Sequence, residues 1–390
     1  MAIDIKNILQ AVQKKIANAD ANTSIDDMNY LLKIAKQVDG SVITSYDSDG
    51  VLPEIGENTE RLAFVASTGT IKFNNGQWDQ SAAIPPPPPG WTFGGTVSGY
   101  VSGGNPGFIT RIEKFSFTSD GNSESVATLT VGRSDPTGNS SSTHGYTVGG
   151  VNPGFGGYLN IIDKFEFATD GNATDVGDLT TGRSATPSTS SETHGYHSAG
   201  SPGSGLSYST NILKFPFAVD ENAATAGDLF AYASAAYSQS STTHGYSSGG
   251  QGGPLNPGIT DMIQKYPFAV DNTGTDVGNL LFIRYGRAGQ SSETHGYASG
   301  GAGPGPITYT NSINKFPFAV DENATDVGDL IGAIDNNLSS NAGISSETYG
   351  YVAGGAFSNT NQKFSFASDE NATSVGTLVD TTYLKAGHQY

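Results

Sequence analysis

The chain has no cysteine among its 390 residues. Disulfides, zinc–thiolate centres and cysteine nucleophiles are therefore excluded. Charge is also scarce, at 14% of residues against the usual quarter. Cations are scarcest: 19 Lys and Arg stand against 37 Asp and Glu, a net charge of −18. Binding nucleic acid needs clustered cations that displace counterions, and anionic lipid repels an acidic surface. No stretch approaches the 18 or more apolar residues of a membrane helix. Met1-Ala2-Ile3-Asp4 has neither the basic start nor the apolar run of a secretory signal. The expectation is a soluble acidic protein with no nucleic-acid partner and no membrane insertion.

Glycine fills much of the space that charge leaves, with 52 residues. That composition suits tight turns and short strands better than helices. A repeat of about 50 residues, found six times, gives it order. Its first anchor is Lys before an aromatic, at Lys114, Lys164, Lys214, Lys265, Lys315 and Lys363, with steps of 50, 50, 51, 50 and 48. The second is Thr-His-Gly-Tyr, ending at Tyr146, Tyr196, Tyr246 and Tyr297. Thr-Tyr-Gly-Tyr ends at Tyr351, and a degenerate first copy is Ser98-Gly99-Tyr100. The third is Val-Gly-Asp-Leu, ending at Leu179 and Leu330, with variants ending at Leu129, Leu229, Leu280 and Leu378. Fixed periods of this length mark solenoids and propellers.

Each repeat reads as four strands. In residues 144–194, Tyr146 to Gly150 is a strand ending in a glycine pair, followed by a variable loop, Val151–Tyr158. Ile161–Ala168 and Asp175–Thr181 are strands separated by the turn Asp170-Gly171-Asn172. Arg183–Ser191 is a polar fourth strand leading to the next Thr-His-Gly-Tyr. Four short strands per 50 residues is the arithmetic of a propeller blade. The fold class expected is mainly β: a six-bladed propeller over residues 90–390, preceded by a short helical segment and a small meander. The last repeat stops where a strand should follow, at Leu384–Gln389, and that strand is present at Gly99–Gly104. The C-terminal strand is expected to close the ring against residues after Trp91, leaving no blade open at its edge.

Ahead of the ring, residues 1–40 carry two apolar stripes at helical spacing, Ile5, Ile8, Leu9, Val12, Ile16 and then Met28, Leu31, Leu32, Ala35, Val38. Residues 41–60 read as a linker and Arg61–Asp79 as a three-stranded meander with turns at Ser67-Thr68-Gly69 and Asn74-Asn75-Gly76. Together, residues 41–84 form a linker and meander module. Pro85–Pro89 is a stiff polyproline spacer.

The chemistry-bearing residues read as structural. His144, His194, His244 and His295 recur once per blade and enter a strand, so no metal site is expected from them, and His197 and His388 have no partner pattern. The turns Asp170-Gly171-Asn172 and Asp321-Glu322-Asn323 offer oxygen ligands, but they lack the distal bidentate Glu of a calcium loop. Asp and Asn also dominate turns for local reasons. The triplets at Asn172, Asn323 and Asn371 match a glycosylation pattern that turn chemistry explains. Each repeated Lys is expected to lie on the next blade and meet an Asp such as Asp178 or Asp329. Pro216, Pro267 and Pro317 predict a bulge or a short outer strand. No phosphate loop or His-Glu-x-x-His helix appears, and no catalytic residue or cofactor is assigned. The blades differ most in the loop after the glycine pair. Those loops hold Phe108, Phe155, Tyr158, Tyr208, Tyr309 and Phe357 on a Gly/Pro/Ser background. Insertions on one face of a repeat protein often mark its binding face, so these six aromatics are the candidate ligand-binding residues.

The repeat resembles kelch repeats over residues 90–390. The resemblance rests on the glycine pairs Gly103-Gly104, Gly149-Gly150, Gly249-Gly250, Gly300-Gly301 and Gly354-Gly355, with Ala199-Gly200 in one copy. It rests also on the aromatic strand that follows and on Arg133, Arg183 and Arg287 before the last strand. Leu stands in Val-Gly-Asp-Leu where kelch blades commonly carry Trp. The whole layout resembles virion structural proteins of bacteriophages, particularly those infecting marine cyanobacteria. Arg61-Leu62-Ala63-Phe64-Val65, Ser67-Thr68-Gly69-Thr70, Asn75-Gly76-Gln77-Trp78, the proline spacer, Lys-Phe-Pro-Phe-Ala and Ser-Ser-Glu-Thr-His-Gly-Tyr carry it. It implies a tail fibre or other virion appendage. Residues 1–84 would attach to other virion proteins and assemble a homo-oligomer, with a trimer expected, and the propeller loops would bind a host-surface glycan or protein. The alternative it leaves open is a propeller that packs on neighbouring virion subunits as a scaffold.

Overall fold

The computed structural model describes residues 93–203, 209–252, 258–304, 309–332, 341–355 and 358–390, with four strands before residue 91. The chain divides into two units, Met1–Gly90 and Trp91–Tyr390. The helices expected over 1–40 and the spacer at 85–89 lie outside the described residues.

In the first unit Leu62–Val65, Thr70–Asn74 and Trp78–Gln80 form the expected antiparallel meander. A fourth strand, Thr44–Tyr46, pairs parallel to the first, with Thr44 opposite Ala63. It arises from the stretch expected as a linker. A parallel partner needs a long crossover rather than a tight turn, so no local turn signal marks it.

The second unit is a ring of six four-stranded antiparallel blades. Blade 2 is typical, with strands Thr137–Ser140, His144–Val148, Ile161–Glu166 and Thr174–Asp178 from the axis outward. The innermost strands of the other blades are Ser188–Ser190, Tyr237–Ser240, Gly289–Ser291, Ala342–Ser345 and Ala386–Gln389. The polar fourth strand expected at Arg183–Ser191 is thus shorter, and it is the inner strand of the following blade. Ala185, at φ 54°, turns the chain before it, and Arg183–Ser184 pairs separately with Ser201–Pro202.

Closure occurs as expected. Ala386–Gln389 forms the inner strand of blade 1 beside Ser98–Ser102, in the register Ala386↔Ser102 to Gln389↔Gly99.

The repeated letters are explained by contacts between blades. Each Thr-His-Gly-Tyr tyrosine stacks on the second aromatic of the next blade's Phe-x-Phe. Tyr146 lies 4.9 Å from Phe217 and Tyr246 lies 4.8 Å from Phe318, centroid to centroid. Such pairs add about 0.5–1.5 kcal/mol each beyond their burial. The glycine before the tyrosine is a steric requirement: a Cβ on Gly145 would lie 2.3 Å from the Phe165 ring. Of the two serines before Thr-His, the first links inner strands around the axis. The amide of Ser140 donates to Ser190 Oγ, that of Ser190 to Ser240 Oγ, and that of Ser240 to Ser291 Oγ. The second, such as Ser141, accepts from the amides of Thr143 and His144 and holds the turn.

The repeated lysines do reach the next blade, but they meet the Asp of its turn rather than Asp178 or Asp329. Lys164 Nζ is 2.5 Å from Asp220 and Lys214 is 2.5 Å from Asp271. Lys363 closes the belt on Asp120 at 2.6 Å. These pairs are partly exposed and each contributes about 0–1 kcal/mol. The turn asparagines also bridge blades: Asn172 Oδ1 accepts from the Thr128 amide and Asn222 from that of Asp178. The prolines fall at the last position of the third strand, Pro216 opposite His194. The outer strand has stopped pairing by then, at Lys214, so no ladder donor is lost. The bulge lies earlier, between Ile212 and Leu213.

Among the described residues, two ion pairs are buried. Arg133 Nη2 is 2.6 Å from Asp163, with neither side chain exposed, and Lys385 Nζ is 2.7 Å from Glu113, each 2% exposed. Burial pushes the Arg133 guanidinium down from its usual range, against the attraction of Asp163. Arg284, not Arg287, is the equivalent of Arg133 and Arg183. Its carbonyl accepts from Gly250 as that of Arg183 accepts from Gly150.

Blade 6 departs from the others in its core. Ile112, Ile162, Ile212, Ile263 and Ile313 are fully buried at one position of the third strand, where blade 6 carries Asn361. Both polar side-chain atoms of Asn361 lack a partner. A buried unsatisfied polar group costs about 1–3 kcal/mol. Asn361→Ile is expected to raise the melting temperature by several degrees, read by thermal denaturation; a fall would show that blade 6 cannot admit the branched side chain.

Candidate functional site

Strand direction sorts the connections onto two faces. The second strand of each blade runs toward the face that holds the loops after the glycine pairs. The same face holds the crossings from each outer strand to the next inner strand. The Ser-Ser-x-Thr-His turns and the Asp-x-Asn turns lie on the opposite face. Residues 95–97 also join the ring there, the amide of Gly95 donating to Ser345 O and that of Val97 to Tyr390 O.

The glycine pair opens the variable loop. Gly149 and Gly150 sit at φ 62° and 102°, in the left-handed region that other residues avoid. In blade 2 the loop is a small hairpin, with Val151 opposite Tyr158 and Asn152 opposite Gly157. A 3-10 turn, Pro153–Phe155, forms its tip, with Asn152 Oδ1 accepting from the Gly154 amide at 2.9 Å. Phe155 is 65% exposed there. Tyr158 is half-buried and lies over Gly203 of the next blade. Phe108 is half-buried at φ 52°, and Tyr309 is half-buried beside Ala302. These four stand on one face, on blades 1, 2 and 5. Tyr208 and Phe357 lie outside the described residues. Of the four, Phe155 is the one presented outright to solvent.

A cavity runs along the axis between the inner strands. Pro136, Thr186, Ala236, Arg287 and Lys385 line the mouth, and Gly138, Ser188, Ser238, Gly289, Gly343 and Gly387 line the cavity below, of about 60 Å³. Arg287 pairs with Asp135 and Lys385 with Glu113. A water needs roughly 10–15 Å³ of such space, so the cavity has room for a few waters.

The repeated histidines stand on the opposite face, one to a blade, each with Nδ1 2.8 Å from its neighbouring Thr Oγ1. The described residues contain no group of three or more His, Asp or Glu placed to hold a metal. His197 and His388 are fully buried beside the axis and share Asn139. His197 Nε2 meets Asn139 Oδ1 at 2.5 Å and His388 Nδ1 meets Asn139 O at 3.1 Å. Sequence reading had found no partner for either, because the contacts cross blades. Gly245-Tyr246-Ser247-Ser248-Gly249 has the spacing of a nucleophile elbow, but it runs along a strand with Ser247 fully buried.

A second feature of the variable face was missed from sequence: exposed apolar side chains on the crossings, among them Phe230, Phe282 and Ile331. The run Leu281-Phe282-Ile283 was the readable signal.

The chain matches no family model, and no curated protein is significantly similar to it. Among solved structures, the one titled "Structure of YjhT" superposes with a TM-score of 0.50. The match covers 67% of this chain and 91% of that one at 12% identity. At that identity the likeness is one of fold: the ring of residues 91–390 is a six-bladed β-propeller.

Proposed function

We propose that this chain is a non-enzymatic structural protein of a bacteriophage particle, a tail fibre or other appendage. Residues 1–84 attach it to other virion proteins, and its kelch-like propeller binds a host-surface glycan or protein. The observation that carries the binding reading is the confinement of variation to one face. The opposite face repeats the same hydrogen bonds and ion pairs from blade to blade, whereas the loops after the glycine pairs change length and content and present Phe155. The virion reading rests on the resemblance of the N-terminal segment, the proline run and the repeat sequences.

The test is saturable binding of the labelled full-length chain to intact cyanobacterial cells, compared with Phe155→Ser/Tyr158→Ser. Binding weakened about tenfold or more, on the order of 1.4 kcal/mol, supports receptor recognition by this face. A folded chain that binds no candidate host favours the second reading, a scaffold packed on neighbouring virion subunits. The aliphatic residues on the crossings favour that second reading.

A further inference from the structure

Six large apolar side chains of the described residues stand exposed on four successive crossings of the variable face, between 44% and 58% accessible: Phe230, Leu281, Phe282, Ile283, Ile331 and, at its far end, Val379. Three of them are consecutive. A run of exposed apolar residues is unfavourable in a soluble fold unless it is used. The fold itself does not call for them. Directly after the buried leucine of the outer strand, blades 3, 4, 5 and 6 carry Phe230, Leu281, Ile331 and Val379, whereas blades 1 and 2 carry Thr130 and Thr180 in the same fold. The start of each of the first three crossings is held by a side chain of the next blade. The amide of Ala231 donates to Gln264 Oε1 at 2.7 Å, that of Leu281 to Asn314 Oδ1 at 3.1 Å, and that of Ile331 to Gln362 Oε1 at 2.7 Å.

The partly exposed charges without an ion-pair partner beside this ridge have one sign. Asp228, Asp261 and Asp329 are partly exposed, and none forms an ion pair among the described residues. Of the two cations on the central crossing, Arg284 is fully buried and donates to Gly300, Ser312 and Ala298, and Arg287 is paired with Asp135.

We propose that the ridge from Phe230 to Ile331 docks a protein whose contact surface has an apolar centre and a rim of Lys and Arg. Sugars are recognised by flat aromatic faces with hydrogen-bonding groups beside them, and Leu281, Ile283 and Ile331 supply neither. A second copy of this chain would bring its own aspartates and a net charge of −18 to the same place, and like charges across an interface oppose binding. A basic partner turns those aspartates into attraction. This inference concerns the crossings rather than the variable loops, and it holds or fails independently of the virion reading.

The test uses the full-length chain and a synthetic amphipathic helix of about 18 residues, with leucines on one face and lysines on the other. A matched peptide carries glutamates in place of the lysines. Fluorescence anisotropy is expected to show saturable binding of the lysine peptide and none of the glutamate peptide. Leu281→Ser/Phe282→Ser/Ile283→Ser should weaken it about tenfold or more, while Phe155→Ser/Tyr158→Ser leaves it unchanged. Asp261→Asn/Asp329→Asn, which spares every apolar side chain, should weaken it and flatten its salt dependence. Equal binding by the triple serine variant would overturn the proposal, placing the peptide on the acidic opposite face. Binding of the glutamate peptide would overturn the basic rim. A wild-type dimer that the serine variant abolishes would give the ridge to a second copy instead. Loss of cell binding with peptide binding intact would count against the receptor reading alone.

Discussion

Removal of residues 381–390 is expected to abolish cooperative folding of the propeller or to lower its melting temperature by more than about 15 °C. Stability losses of several kcal/mol shift a domain of this size by roughly 2–4 °C per kcal/mol. The segment supplies the whole inner strand of blade 1 and leaves Ser98–Ser102 as an open edge beside the axis. It also supplies Lys385, the buried partner of Glu113. A buried charge left without its partner costs about 3–5 kcal/mol, a large share of a typical total of about 5–15 kcal/mol. The backbone amide of Gln389 donates to Ser140 Oγ, and the Tyr390 ring stacks 5.1 Å from Phe167, so blade 2 loses packing as well. Circular dichroism on the full chain and the truncated chain makes the comparison. An unchanged melting curve would mean that the ring does not depend on its clasp.

That closure was legible in the sequence because it follows from counting. Six anchors in fixed order specify six blades, and a repeat that ends one strand short must borrow from the other terminus. Strand identity was legible for the same reason: buried positions such as Ile162, Phe165 and Leu179 recur at one spacing. What the repeat could not reveal is which blade a side chain reaches. Lys164 was expected to meet an Asp of the Val-Gly-Asp-Leu type, and it meets Asp220 in the turn of the next blade. Both carboxylates lie in acidic stretches, and only the angle between blades chooses. Likewise Asn172 reads as a local turn residue, while its side chain serves the outer strand of the preceding blade. Arg284 was recoverable from its distance to Leu280, four residues as in Leu129 to Arg133 and Leu179 to Arg183. The apolar crossings were recoverable too, because the position after the buried leucine changes from Thr130 and Thr180 to Phe230, Leu281, Ile331 and Val379.

Acidification from pH 7 to pH 5 is expected to destabilise the propeller by about 4 kcal/mol through two histidines. Desolvation by burial depresses His197 to about 3, with the Arg183 charge adding to it, and depresses His388 to about 4. Their hydrogen bonds fit neutral rings. His388 Nδ1 donates to Asn139 O, leaving Nε2 to accept from Ser102 Oγ at 2.9 Å. His197 Nε2 donates to Asn139 Oδ1, and Nδ1 accepts from Thr137 Oγ1 at 3.1 Å. The folded state therefore holds both rings neutral at a pH where the unfolded chain protonates them. Stability is fully present above the unfolded value near 6.5 and is lost as pH falls toward the depressed values. Between pH 6.5 and 5 each ring contributes a loss of about 2 kcal/mol, from 1.36 kcal/mol per pH unit. Denaturant unfolding at pH 7 and pH 5 measures the difference. In His388→Gln the drop should shrink by about 2 kcal/mol, whatever the variant's stability at pH 7, because that proton is no longer taken up on unfolding. An equal drop in the variant would show that the acid sensitivity originates outside the clasp.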